Sequence, residues 1–587
     1  MCGILGGFNT AFDERSLRRL AHRGPDQDSL HRLPVAGGTI VLGQTRLNVV
    51  DRRNIKLPVQ IGDSVVLFNG EIYNHPELRR ELRGLGREFF TQTDTEVVLA
   101  AYLQWGPECL HKFNGMFAVV IWDGGKLFCA RDRLGKKPLF YRHRAGCFEF
   151  ASEIKAFSDL RFAAHDLFDL FEFCFNEHTL YQDIRSLRPG HYLVFDPQSG
   201  ACRATEYWNP EHFITGAESR PREAVDTFLG LLEDSVRLRM RSDVPVSMFL
   251  AGGLDSPLIA KLSGVKESLT CQFDEFKATI DEEGYVVDLA ERIGLTANMV
   301  RPTRREFFED LPRLAYHLEM PTGSFSVFPL YRLAKAARQR GYKVILSGEG
   351  SDELFGGYVR NELLLDETSR TAGPKETHYA GMMGRYRGSD LERFCRMASR
   401  SGLSGAALME AYLHDLWSPS RTALQNLSLI ETKVFLQPLL QMGDRMCMAH
   451  GVENRCPFLD HRLVEFAFSL SDALRFRDGM GKWIVHKAAE KLLPPGTRLL
   501  TRPIKDGLPT PVNQWIYGCH SFDRRNWNAL MTAECIKALL SSNDEGLLPA
   551  VQDPAASSVR SAPAEQVAYR SLPRGLPTPY AVRSAVT

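Results

Sequence analysis

A chain of 587 residues is too long for one hydrophobic core, so two or three domains are expected. Its 44% hydrophobic and 24% charged residues are those of an ordinary globular protein. The 72 basic and 71 acidic residues nearly cancel, which argues against nucleic acid or an anionic membrane surface as partner.

The first residues, MCGILGGFNTAFDER, lack the basic start and long apolar stretch of a signal peptide, and no apolar run approaches a membrane span. The 12 cysteines are scattered without a CxxC pair and read as reduced thiols of a cytoplasmic protein. Cys2 between Met1 and Gly3 stands out. Removal of Met1 would leave a terminal cysteine carrying both a nucleophile and, in its α-amine, a base for the thiol proton.

Short apolar runs rich in β-formers follow at 65–68, 116–122, 127–130 and 147–151. They are bounded by turn residues such as Asn69-Gly70, Asp123-Gly124-Gly125 and Arg144-Ala145-Gly146. Between them lie HRGPD (22–26), TRL (45–47), NGEIYN (69–74) and TDTE (93–96). Hydrolysing a glutamine amide needs an oxyanion hole, which an Asn amide beside a Gly N–H can supply. It also needs a cation for the substrate α-carboxylate, for which Arg46 is suited, and an anion for its α-ammonium, for which Asp94 is suited.

MCGILGG, HRGPD, TRLNVVD, NGEIYN, TDTE, ARDRLGKKPLFY and FASEIKA together resemble the N-terminal-nucleophile glutaminase domain of glutamine-hydrolysing asparagine synthetases. The resemblance implies Cys2 as nucleophile and Asn69 with Gly70 as oxyanion hole. It implies Arg46, Leu47, Asn69, Gly70, Glu71 and Asp94 as glutamine binders. Gln44 stands where much of that family has His, a departure that touches none of these roles.

Around Tyr207-Trp208-Asn209-Pro210 the texture changes. Residues 222–240 carry Val225, Phe228, Leu229, Leu232 and Val236 at helical spacing. Strand-like runs at 244–250, 269–273 and 342–346 then alternate with helical patterns at 284–293 and 330–338, which predicts a parallel, doubly wound sheet. Beyond about residue 361 the pattern is mostly helical. Domains are expected at 2–210 and 220–530, and the Ala-, Ser-, Pro- and Arg-rich 549–587 reads as a flexible tail.

The run Val246 to Leu250 ends in Ala251-Gly252-Gly253-Leu254-Asp255-Ser256, a strand, a glycine turn and a helix start. Glycines let the backbone approach phosphate, and the helix end offers free N–H groups. The segment resembles the PP-loop, SGGxDS, of ATP pyrophosphatases. Ala251 removes one hydroxyl donor to phosphate, and with Ser256 as N-cap, Pro257 would take the first helical position. LSGEGSDELFGGY (346–358) puts three carboxylates among four glycines at a strand end, which calls for a cation such as Mg²⁺ on ATP phosphates or a substrate amine.

That run resembles the synthetase motif of the same family. The resemblance implies an α+β sandwich followed by an α/β PP-loop domain with a mostly helical C-terminal part. It implies Glu349 at acyl-adenylate formation, and Asp255 and Asp352 as ligands of magnesium-pyrophosphate. Lys482 becomes the cation for the departing phosphates. Leu250, Ala251, Gly252, Gly253, Asp255, Ser256, Cys271, Ser347 and Gly348 become ATP contacts. GDRM (443–446), ENRCPFLDHR (453–462), GKW (481–483) and RPIKDG (502–507) resemble the family's helical portion. Arg445, Arg455 and Lys505 suit structural ion pairs as well as catalysis.

The implied reaction takes glutamine, Mg-ATP and aspartate to asparagine, glutamate, AMP and pyrophosphate, in a protein that pairs as a homodimer. Two other readings stand beside it. One is the same chemistry on another carboxylate, chosen by the less family-like stretch 319–327; the other is an inactive relative acting as a binding protein.

Overall fold

The computed structural model describes residues 2–53, 55–162, 176–217, 220–276, 282–320, 322, 324–358, 416, 418, 420–502, 510–512 and 515. The tail at 549–587 and Lys505 lie outside them, as do Pro321 and Gly323 of the 319–327 stretch.

The first part is built from β1 (Cys2–Phe8), β2 (Gln27–Val35), β3 (Gly38–Arg46), β4 (Val59–Ile61), β5 (Ser64–Ile72) and β6 (Gly115–Trp122), continuing with β7 (Leu127–Arg131), β8 (Phe140–Arg144), β9 (Cys147–Ala151), β10 (Ile184–Ser186), β11 (His191–Phe195) and β12 (Cys202–Glu206). They form two six-stranded sheets, ordered β10-β8-β9-β1-β3-β2 and β12-β11-β7-β6-β5-β4. Ile4, Phe8, Ile40 and Leu42 of one sheet pack on Val65, Leu67, Val120 and Leu127 of the other. The alternate residues Val66 and Phe68 face helix Asp94–Trp105, through Val97 and Ala101. Burial on both faces explains why 65–68 reads as an unbroken apolar run rather than an alternating one.

The second part centres on a parallel sheet of β13 (Val246–Phe249), β14 (Glu267–Cys271), β15 (Thr296–Val300), β16 (Val344–Leu346) and β17 (Glu453–Arg455), ordered β15-β14-β13-β16-β17. Helices cover both faces. Phe228, Leu232, Leu258, Ile259, Val286 and Leu289 pack with Met248 and Leu346. Phe307, Leu311, Phe328 and Met446 pack with Leu269 and Ile345. The helix predicted over 222–240 spans Pro221–Arg239, and the one predicted over 284–293 spans Glu282–Ile293.

Residues 453–455, placed by resemblance in a helical portion, form an edge strand instead. Glu453 N–H donates to Lys343 O at 2.7 Å and Ser347 N–H to Arg455 O at 3.0 Å, so three polar residues enter the sheet with no strand-like pattern of their own. The chain order steps outward in both directions from β13. This puts the topological switch point, where open α/β sheets hold ligands, at the C-terminal ends of β13 and β16.

Candidate active sites

Cys2 begins β1 and lies opposite Arg46 of β3 in the antiparallel register. Its backbone N–H donates to Asn69 Oδ1 at 3.2 Å, tying the sheet that carries Cys2 to β5 of the other sheet. Asn69 Nδ2 is buried with no hydrogen-bond partner among the described residues, a donor left over for an oxyanion. At Gly70 a Cβ would lie 2.2 Å from the Met116 carbonyl oxygen, so only glycine fits. Gln44, read as outside the site, donates from Nε2 to Cys2 Sγ at 3.4 Å and to Phe68 O at 3.3 Å. That is a correction: its side chain touches the nucleophile.

The Arg46 guanidinium is aimed by main-chain carbonyls, at 2.7 Å from Asp51 O, 3.1 Å from Arg53 O and 3.2 Å from Val50 O. Asp94 is the first residue of helix Asp94–Trp105 and accepts from Ile72 N–H at 3.0 Å. Glu71 is buried. Burial, with Asp94 nearby, pushes its carboxyl well above the usual carboxylate range although Arg455 stands 3.4 Å away. Leu47 is buried with Tyr73 and Met116. Sequence reasoning missed Arg23, whose Nε donates to Cys2 O at 3.2 Å.

The second cluster occupies the switch point. Ala251 N–H donates to Ser256 Oγ at 3.0 Å, and that hydroxyl donates back to Ala251 O at 3.2 Å, closing the turn after Leu250. Gly252 N–H donates to Glu282 Oε2 at 2.7 Å, and Arg502 pairs with the other oxygen of Glu282 at 2.8 Å. Gly253 follows as the turn leads into helix Asp255–Ser263. Because the helix begins at Asp255, Ser256 is not its N-cap and Pro257 is the third residue. The proline still sits in the first turn, where its missing N–H costs no intrahelical bond.

Lys482 Nζ lies 2.7 Å from Asp255 Oδ2 and 2.6 Å from Asp352 Oδ1. Burial works against its ammonium, but the two carboxylates outweigh that and raise it above the ordinary lysine value. Asp255 Oδ1 is buried and has no hydrogen-bond partner among the described residues. Gly348 packs on this aspartate, where a Cβ would come 3.0 Å from Asp255 Cβ. Cys271 ends β14, and burial pushes its thiol up to about 12. Ser347 Oγ donates to Asn454 Oδ1 at 2.8 Å. Glu349 belongs to a neighbouring group, with Asn454 Nδ2 and Cys456 Sγ each 3.1 Å from its carboxylate.

Buried ion pairs join the two parts. Arg23 pairs with Glu153 at 2.7 Å and Asp444 at 2.8 Å, and Lys137 reaches Asp444 at 3.0 Å. Arg445 bridges Glu153 at 2.6 Å and Glu319 at 2.7 Å, which is the structural role considered for it. Arg455 likewise pairs with Glu453 at 2.5 Å.

Residues 1–208 match the glutamine amidotransferase domain family, and residues 227–547 match the asparagine synthase family. The chain is 31% identical to the glutamine-hydrolyzing asparagine synthetase 1 of Bacillus subtilis, an alignment that covers 88% of each chain. This chain belongs to the asparagine synthase family. It is also 29% identical to asparagine synthetase 3 of Bacillus subtilis over 84% of this chain and 85% of that one. A further family relative is Amidase chyE of Penicillium rubens, 28% identical over 79% of each chain. The family uses ATP. Among the described residues no helix is long and apolar enough to cross a membrane.

Proposed function

We propose that this chain is a glutamine-dependent asparagine synthetase, with glutamine, ATP and aspartate as substrates. The observation that carries the reading is that one chain holds both a buried terminal-type cysteine beside Asn69 and a Lys482–Asp255–Asp352 cluster at a parallel-sheet switch point. The length-wide likeness to the Bacillus subtilis synthetases supports it. Two domains, 2–210 and 220–530, rest on the change of pattern near residue 210, a cytoplasmic place on the scattered reduced cysteines, and a homodimer on the family resemblance.

At the first site the Cys2 thiol attacks the glutamine amide carbon while the α-amine takes the thiol proton. Asn69 Nδ2 and the Gly70 N–H stabilise the oxyanion, ammonia leaves, and water releases glutamate from the thioester. Arg46 binds the α-carboxylate of glutamine and Asp94 its α-ammonium, with Glu71 and Leu47 as further glutamine contacts. At the second site an aspartate carboxylate oxygen attacks the α-phosphorus of ATP, and the α–β phosphoanhydride bond breaks. Lys482 meets the charge that develops on the leaving pyrophosphate. Ammonia then attacks the acyl carbon and AMP departs.

Magnesium arriving with ATP fits Asp255 and Asp352, because one Asp255 oxygen is buried with no partner among the described residues; bound there it would neutralise phosphate charge.

A mass-spectrometric assay with Mg-ATP, amide-¹⁵N glutamine and aspartate tests the reading. Labelled asparagine with AMP and pyrophosphate is expected, and Cys2→Ala should abolish it while leaving synthesis from ammonium salts. One alternative is the same chemistry on another acceptor carboxylate, because 319–327 is the less family-like stretch. Glutamate without asparagine from the wild-type protein would select it.

A further inference from the structure

The turn between β7 and β8 is unusually well held. The Asp132 carboxylate accepts four backbone N–H groups, from Phe117 at 3.1 Å, Leu134 at 3.2 Å, Lys136 at 2.9 Å and Lys137 at 2.9 Å. Gly135 has φ +67°, and a Cβ there would lie 2.7 Å from Pro189 and 2.9 Å from Gln437. A turn fixed in this way delivers its two lysines across the interface to defined places. Lys137 meets Asp444, while Lys136 reaches the switch-point region, 3.5 Å from Glu349 Oε2 and in contact with Cys456 Sγ.

Each oxygen of Glu349 therefore has its own partner. Oε1 accepts from Asn454 Nδ2 at 3.1 Å; Oε2 accepts from the Cys456 thiol at 3.1 Å and faces the Lys136 ammonium. Burial pushes the Cys456 thiol up to about 11, so at neutral pH it keeps the proton that it donates. Asn454 and Cys456 come from β17 and the residue after it, whereas Lys136 comes from the antiparallel sandwich. Nothing in the family reading gives Lys136 or Cys456 a role.

We propose that Lys136 is a positioning residue for the ATP-dependent step, its ammonium holding the Glu349 carboxylate in place from the glutaminase side of the interface. This rests on the reading of Glu349 as the adenylation-site carboxylate. Glu349 is half-buried, and a carboxylate there that loses its cation reorients or recruits water; misplacement by about 1 Å costs about a hundredfold in rate. The lysine also makes the geometry of one site depend on correct seating of the other part of the chain.

The test uses the full chain with Lys136→Met and Lys136→Arg, measuring glutamate release, and asparagine formed from glutamine or from ammonium chloride. Lys136→Met should keep glutamate release within about twofold and leave the glutamine KM unchanged. The kcat for asparagine should fall about tenfold or more with both nitrogen donors, and Lys136→Arg should recover most of it.

Synthesis at the wild-type kcat in Lys136→Met would overturn the proposal. So would an arginine variant no better than the methionine one, or hydrolysis and synthesis falling in proportion with the thermal midpoint. Absence of asparagine from the wild-type protein is a separate outcome that would overturn the reading on which the proposal rests.

Discussion

Gln44 puts an amide N–H 3.4 Å from the sulfur of Cys2 while anchoring itself on Phe68 O. A donor so placed meets the negative charge that the sulfur carries as it attacks the amide carbon. A single hydrogen bond to a charged group contributes about 1.5–3 kcal/mol. Gln44→Leu should therefore lower the kcat of glutamine hydrolysis about tenfold or more, and leave synthesis from ammonium salts at the wild-type rate. Parallel steady-state assays with the two donors decide it, and an equal fall in both would refute the assignment. Cys2, Asn69 and Arg46 were legible in the sequence because each sits in a motif whose chemistry needs that residue type. Gln44 was not. Its strand partner is Ile4, and its reach to the sulfur is a diagonal across the β1–β3 pairing that no spacing reveals. Arg23 escaped for the same kind of reason, because it touches Cys2 through a backbone carbonyl.

Among the elements, the strand–turn–helix at Val246 to Ser263 was read correctly as a unit from its apolar run, its glycines and the helical pattern that follows. Its fine structure was not legible. Helix onset at Asp255 depends on the Ser256 hydroxyl closing back onto Ala251, and the Glu282–Arg502 pair against Gly252 joins residues 220 positions apart. Strand β17 is the other case, since Glu453-Asn454-Arg455 becomes a strand only through its neighbours.

The Ala251 methyl offers phosphate nothing, while its backbone N–H is already engaged by Ser256. Ala251→Ser restores a hydroxyl at the turn, and an ordinary hydrogen bond contributes about 1 kcal/mol. The KM for ATP in asparagine synthesis should fall about fivefold, with glutamine hydrolysis unchanged. An unaltered or higher KM would show that the backbone alone sets phosphate binding in this chain.

At the scale of the whole molecule, a net charge near zero conceals a dense set of charges buried where the two parts meet. Arg23, Glu153, Lys155, Glu319, Asp444 and Arg445 are all nearly inaccessible to solvent. Their presence in motifs was legible, but pairings that span more than a hundred residues were not. His22 is embedded among them, 3.1 Å from Glu153, edge-on to His317 and near Lys155. Burial pulls its pKa down to about 4 despite the attraction of Glu153. The unfolded chain takes up this proton near pH 6.5, whereas the folded chain refuses it until about pH 4. Between those values the unfolded state binds the extra proton, so stability is intact above pH 6.5 and drains away as pH falls. The shift corresponds to about 3 kcal/mol once pH has dropped through the whole window. His461, pulled down to about 3 by burial and by Arg133, acts in the same direction and will remain in any His22 variant. The decisive quantity is thus the difference between two slopes. Urea midpoints of the wild-type protein and His22→Asn, measured from pH 7.5 to 5, should show a steeper loss in the wild type. Parallel slopes would mean that burial and the pull of Glu153 cancel at His22, and a shallower loss in the wild type would mean that Glu153 prevails over burial.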